Sequence, residues 1–525
     1  MSKDKRMNNK LYNIGILILK GFIIAVMLFL TYYSVRFSVD VLPTGLERNT
    51  VTKDILPLNL LVILLFGGFC RLISYFEKKI KSRTAGIIAY ICCFIATAAV
   101  LIEGMWWINV VDHAPGGDQL YVYAFTSYMM DGQYSYLEPT NYFGMYPHQL
   151  GLAFIMKILF TFTGQFNYHA YQTINVLFSA GTVIAGFFLV NEFDRKFVSK
   201  IIYCMSMTLC VPLIGYTQWV YGETASVFFL FLAALFITKC SKEFKIAYAL
   251  ISIASTAVAC LYRKNSIIFL VALVIVFIMK FLKELNYRYL IAATIAIILP
   301  IVLYKGIYLY YENASNIKLD KGLPTVSWIA MGLEDNSELG PGGYTNIVET
   351  YKNTNYDLEV LTYTSKSEIK ERLDLFVHNP LYSADFFKRK ITMYWNQPTY
   401  QAVYYGKDAN PEDTATDKMF NEVVFGNGYK FLFEYSNLLH GIVFTGTFLF
   451  GIFAVTKKRD IAFYVFPITI IGGFLFSLFW EGKGRYIFPY YMMMFPLFAV
   501  GFEECVGFIR GFFKDKFTKR KDTND

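Results

Sequence analysis

Apolar residues along this chain come in runs long enough to cross the hydrocarbon of a bilayer as helices, and short charged stretches separate them. The first run, 11–35, follows Lys3, Lys5 and Arg6. The second, 55–76, ends at Glu77-Lys-Lys-Ile-Lys-Ser-Arg83. The third, 84–108, closes with Met105-Trp106-Trp107, an aromatic pair suited to a membrane–water boundary. Further runs lie near 149–164, 169–191 and 198–217, and the last three span 431–456, 460–479 and 487–506. This pattern predicts an all-α polytopic membrane protein of about twelve crossing helices, one further interfacial or partial helix and an extracytoplasmic loop domain.

The basic stretches 77–83, 239–245, 280–288, 457–459 and 514–521 mark the cytoplasmic side, so both termini are expected in the cytoplasm and the crossings must be even in number. About thirteen runs satisfy the length criterion. The surplus falls between Tyr146 and Glu223, where the 149–164 run is short and interrupted by Lys157, so it is expected to lie along the interface or only dip in. The chain divides into an N-terminal transmembrane hairpin (1–83), a transmembrane module (84–309), the hydrophilic loop domain (310–430), and C-terminal helices with a basic tail (431–525). Within the loop domain Gly340-Pro-Gly-Gly343 predicts a loop. Helices are expected at 367–378, capped by Ser367, and at about 383–395.

Composition agrees, with 55% apolar and only 17% charged residues. The net charge of +9 sits in the connections and the tail, which indicates topology and no nucleic-acid partner. The eight cysteines lie in or beside apolar runs, so no disulfide framework is implied, and no CxxC or HExxH spacing occurs. The first run is too long for a signal-peptide core and lacks a cleavage site; it reads as a retained helix.

Candidate chemistry begins just beyond Trp107. Asp112, His113 and Asp118 stand on either side of Pro115-Gly-Gly117, which breaks the helix. Asp118, a proton acceptor at a membrane surface, suits chemistry on a lipid-linked substrate; the same Gly-Asp-Gln-Leu-Tyr also reads as a helix cap. Asp112 is a loop-bonding carboxylate or an alternative base. His113 and His148 are either satisfied loop residues or substrate contacts, and Glu223 either binds substrate or starts a helix.

Two turns expected on the outer side carry cations against the usual bias: Tyr262-Arg-Lys-Asn265, with Arg263 and Lys264, and Trp480-Glu-Gly-Lys-Gly-Arg-Tyr486, with Glu481, Lys483 and Arg485. An anionic ligand would compensate them; the alternative is pairing with Glu481 or snorkelling to lipid phosphate. Trp328, Trp395 and Asn396 either line a sugar site or pack the loop domain. No cofactor is assigned, and a divalent cation is possible. A divalent cation would need converging oxygens, for which Asp112, Asp118 and Glu223 are the available ligands.

Gly117-Asp118-Gln119 after an outward helix, Tyr146-Pro147-His148 before the next run, and the late outer loop resemble the GT-C superfamily of membrane glycosyltransferases, especially its family-39-like members. Trp480-Glu-Gly-Lys-Gly-Arg-Tyr-Ile-Phe-Pro489 is similar to the E-x-K-x-R-Y-x-x-P pattern before the last helix of many such enzymes. The resemblance spans roughly 84–506. Gln119 departs from the usual second acid, His148 stands where many members have proline, and the first two helices look like an addition. The resemblance implies inverting transfer of a sugar from a polyprenyl-phosphate donor to an outer-surface glycopolymer or protein. Asp118 would then be the base, and Arg263, Lys264, Lys483 and Arg485 would face the leaving phosphate. The rivals are a transporter or flippase for lipid-linked saccharides and a polymerase using the same residues.

Overall fold

The computed structural model describes residues 3–43, 47–111, 114–345, 347–403, 415–457 and 459–521. It is an all-α membrane protein. Among the described residues ten helices are long and apolar enough to cross a bilayer, or eleven if one bent pair counts as a single span. This falls short of the expected twelve for a physical reason. The run near 198–217 breaks into Phe197–Thr208 and Val211–Gln218, bent by 51°. Cys210 is extended and Pro212 sits in the first turn of the next helix, where its missing N–H is tolerated, so the helix stops and restarts. Ile246–Tyr262 is apolar but only 17 residues long. The run expected to be partial forms a helix of 14 residues, Leu150–Thr163.

Glu223–Lys242 occupies the middle of the bundle, packed on Ile246–Tyr262 and Tyr168–Phe193. Gly484–Lys521 packs on Asn427–Thr456, which in turn packs on Lys3–Ser34. Leu56–Glu77 lies at the periphery and exposes Leu60, Leu61, Leu64 and Leu65, as a helix bordered by lipid should.

Between the first two helices the chain makes an antiparallel hairpin, Phe37–Pro43 with Glu47–Lys53, in which Val39 faces Val51. Val39 and Val41 turn inward in strand alternation, and Val39 N donates to Asn396 O at 2.8 Å. The hairpin thus seats on the region 316–403. That region holds the helices Thr325–Leu333, Leu358–His378 and Pro380–Trp395. The second starts nine residues before the expected Ser367, because the Asp357 carboxylate accepts from Glu359 N at 2.8 Å and Val360 N at 3.1 Å and caps it there.

Candidate functional site

At one end of the bundle four turns, near 147, 221, 264 and 482, meet the start of the Gly117–Met130 helix and the region 316–403 around a cavity of about 450 Å³. Gly117 takes φ +57°, which a residue with Cβ adopts at a cost, and so turns Asp118 into the first helical turn. Asp118 makes no side-chain cap there. Its Oδ2 accepts from Arg485 Nη2 at 3.2 Å, with the Asp118 side chain 35% exposed and Arg485 6%. The carboxylate is therefore open to the cavity, while the guanidinium backs it from within the protein.

Arg263 ends the Ile246–Tyr262 helix in extended conformation and pairs with Glu223 at 3.3 Å. Glu223, buried in the first turn of its helix, stands behind Arg263 and not on the cavity wall. Arg263 and Arg485 flank the same two tyrosines. Their guanidinium carbons lie 4.9 and 5.7 Å from the Tyr221 ring centre, and 5.7 and 5.4 Å from that of Tyr486. Aromatic faces offset part of the cost of holding two desolvated cations close together.

Lys483 has partners of its own. It lies 3.3 Å from Glu481 Oε1 and 4.9 Å from the ring centre of Tyr344 in the loop region. Tyr486 donates to Glu481 Oε2 at 3.0 Å. The turn carrying all four side chains is fixed by close backbone approach. Gly482 N donates to Gly342 O at 2.8 Å, and a Cβ at Gly482 would enter the Tyr394 ring. Lys390, fully buried, donates to Leu478 O at 3.1 Å, Trp480 O at 2.8 Å and Gly332 O. Burial pushes its ammonium down to about 7, against the favourable field of Glu481.

His148 and Lys264 also line the cavity. Burial, then the charges of Lys264 and Arg263, push the imidazole of His148 down to about 3, so it stays neutral near pH 7. Burial raises Tyr142, Tyr146 and Tyr221, with the Asp118 charge adding to each, so their hydroxyls stay protonated and can donate.

Of the residues singled out in the sequence, the cavity brings together Asp118, His148, Arg263, Lys264, Glu481, Lys483 and Arg485, with Trp328 on its wall. Asp112 and His113 lie outside the described residues. Trp395 is core: its Nε1 donates to Ser477 Oγ at 3.0 Å and its ring stacks on Tyr490. Asn396 is buried and its carbonyl serves the hairpin. Neither belongs to the cavity wall, because their helix buries that face against the bundle. Among the described residues no three His, Cys, Asp or Glu side chains converge as a metal ligand set. Asp118 and Glu223 each face a guanidinium.

The sequence reading missed Tyr142, Tyr146, Tyr221, Tyr344 and Tyr486, and also Gln149, whose amide donates to the Tyr221 hydroxyl. It missed Asn49, which the hairpin brings to the wall, and Gln401, whose Oε1 accepts from Arg485 N at 3.3 Å. Tyr146 and Tyr486 stand within the quoted motifs but were given no role, and nothing marks Tyr221 or Tyr344 among the 40 tyrosines. The dense Tyr142–Tyr146 stretch beside Pro147-His148 was the available signal.

The pattern of a family described as a conserved hypothetical integral membrane protein matches residues 10–506. A comparison with curated proteins gives no match.

Proposed function

The chain belongs to that family of conserved hypothetical integral membrane proteins, and from this premise and the geometry of its cavity we propose that it is an inverting glycosyltransferase. It moves a sugar from a polyprenyl-phosphate donor to an acceptor on the outer face of the cell membrane. The observation that carries the reading is the meeting of one open carboxylate with Arg263 and Arg485, distant in sequence, around one cavity.

In the proposed reaction Asp118 takes the proton of the acceptor hydroxyl. The acceptor oxygen attacks the anomeric carbon on the face away from the phosphate, and the bond from that carbon to the phosphate oxygen breaks. The electron pair stays on the leaving polyprenyl phosphate, whose charge rises from one to two. Arg263 and Arg485, desolvated before the reaction begins, stabilise that charge where it develops. Lys264 extends the same cationic wall, and neutral His148 supplies hydrogen bonds without competing for the proton. Arg485 also orients Asp118, so a single guanidinium couples the basic and the anionic ends of the site.

The same reading gives the topology. The ten spans, the bent pair and Ile246–Tyr262 make twelve crossings, even in number, with both termini cytoplasmic and the cavity outside. A transporter would need ionisable groups along a path through the bundle. Here buried Lys280 pairs with Asp460, buried Glu503 with Lys196 and buried Glu504 with Lys457, whose carbonyl also accepts from buried Lys20, all at the helix ends remote from the cavity. This favours surface chemistry over translocation.

The test is mass spectrometry of surface polymers from host cells carrying the natural gene, an Asp118→Asn allele or no copy. The expected result is loss of a hexose- or pentose-sized increment in the last two alike, with the variant protein at normal membrane abundance. Polymers unchanged by Asp118→Asn would end the catalytic assignment.

A further inference from the structure

The wall of the cavity where the region 316–403 meets the turn near 482 differs in chemistry from the arginine wall. Trp328 and Trp480 both line it, with ring planes 16° apart and centres 6.1 Å apart. Phe476 stacks on Trp480 at 4.9 Å and Tyr146 borders Trp328 at 6.0 Å, so the two indoles are held in place from both sides. Beside them sit Glu481 and Lys483, 3.3 Å apart. We infer that this wall is the acceptor subsite and that it takes a pyranose ring: the acceptor is a glycan. The word acceptor rests on the transferase reading; the saccharide subsite does not.

Three observations carry this. Trp328 and Trp480 are both half-buried and border the cavity, so each leaves apolar indole surface toward it, and a pyranose has a flat face of C–H groups that loses water favourably against such surface. A carboxylate only accepts and an ammonium only donates, whereas each sugar hydroxyl does both. Adjacent hydroxyls on one ring can therefore bridge Glu481 and Lys483. Glu481 is held by the Tyr486 hydroxyl at 3.0 Å and stands 3.3 Å from Lys483, so acceptor and donor border the cavity in a fixed arrangement. A serine or threonine side chain has one hydroxyl and no such apolar face. It would leave both the indoles and half of the ion pair unused.

This assignment moves Lys483 away from the donor phosphate. Its charge is already engaged by Glu481 and by the Tyr344 ring, whereas Arg263 and Arg485 share their own pair of tyrosines. The cavity thus divides into an arginine side for the lipid phosphate and a tryptophan side for the glycan, with Asp118 serving as base for a hydroxyl held between them.

The experiment is equilibrium binding to the full-length protein in detergent, using cellobiose, N,N′-diacetylchitobiose and a Ser/Thr-rich decapeptide as soluble probes and undecaprenyl phosphate as donor-side probe. We expect at least one disaccharide to bind saturably and the peptide not to bind. Trp328→Leu should weaken the disaccharide about tenfold, the size of one lost aromatic contact. Glu481→Gln, which keeps the shape of the side chain and removes its charge, should weaken it as well. Arg485→Gln should weaken undecaprenyl phosphate and not the disaccharide. Absence of saturable saccharide binding, equal binding by Trp328→Leu, or binding of the peptide in its place would overturn the inference. Failure of undecaprenyl phosphate to bind the wild-type protein would sink the donor reading while the saccharide result upheld this one.

Discussion

Arg485 donates to Asp118 at 3.2 Å across 367 positions of sequence, joining the last transmembrane helix to the turn after the third. The pair ties the order of events at the site to one side chain. While Arg485 bonds only Asp118, the carboxylate is held by charge. In the proposed reaction a phosphate arriving on the same fork would share that guanidinium with Asp118.

Arginine at this position is therefore not replaceable by lysine. Lys keeps the charge but loses the planar fork that can hold carboxylate and phosphate together. Arg485→Lys and Arg485→Gln should both raise the dissociation constant of undecaprenyl phosphate, the second by roughly tenfold or more, the worth of one charge-assisted hydrogen bond. Titration of the purified variants measures this. An unaltered constant in Arg485→Gln would remove the arginine from the phosphate site.

His148 predicts an acid-sensitive stability. Its folded-state pKa lies near 3, below the ordinary value near 6.5, through burial and then through Lys264 and Arg263. Between those values the unfolded chain binds a proton that the folded chain refuses. The contribution is therefore fully present above about 6.5 and lost as pH falls toward 3. Thermal unfolding scans from pH 7 to 4 should show a steeper fall for the wild type than for His148→Gln. Parallel curves would contradict the burial of the imidazole as the cause.

Lys390 predicts that the cavity depends on the loop region for its shape. Lys390→Met keeps the apolar stem and strips three carbonyls, at Gly332, Leu478 and Trp480, of one shared donor. A loss of about 3 kcal/mol is expected, since breaking a buried charged contact leaves its partners unsatisfied. Gly482→Ala should displace the same turn by another route, because its Cβ enters the Tyr394 ring. Thermal unfolding in detergent and protease sensitivity after residue 479 report both; wild-type behaviour in both variants would show that the turn holds itself.

These contrasts also explain what was legible in the sequence. Membrane character followed from run length alone, because hydrocarbon thickness fixes helix length. Arg263, Lys264, Lys483 and Arg485 stood out because cations at those turns oppose the charge bias, and Asp118 because Gly116-Gly117 freed it from the helix before. Position relative to the bilayer thus selected the charged half of the site. It did not select Tyr221 or Tyr486, since aromatic residues are abundant at every interface, nor Lys390, whose role exists only once Gly332 and Trp480 are beside it. It also did not separate Lys483 from the arginines, because Tyr344 reaches it through tertiary packing. The hairpin that delivers Asn49 lies between the first two apolar runs, and its seat on Asn396 is a backbone contact with no sequence signature.

The shortest apolar helix gives the sharpest test of topology. Ile246–Tyr262 rises about 25 Å at 1.5 Å per residue, slightly less than a typical hydrocarbon core. Yet Lys245 precedes one end and Arg263 follows the other, and Arg263 shares the faces of Tyr221 and Tyr486 with Arg485. If the helix did not cross, Arg263 would lie on the same side as Glu243 and Lys245, and the arginine pair could not form at the outer surface. On the proposed topology the helix spans, with its ends drawn in or the bilayer locally thinned. Single-cysteine variants at two exposed positions decide this: Lys318→Cys, beyond the Arg288–Ser315 helix, and Glu243→Cys, before Ile246. In intact cells a membrane-impermeant maleimide should label Lys318→Cys, and should reach Glu243→Cys only after permeabilisation. Equal labelling of both in intact cells would place 243 and 318 on one side, and the cavity with its two arginines would lose its outward setting.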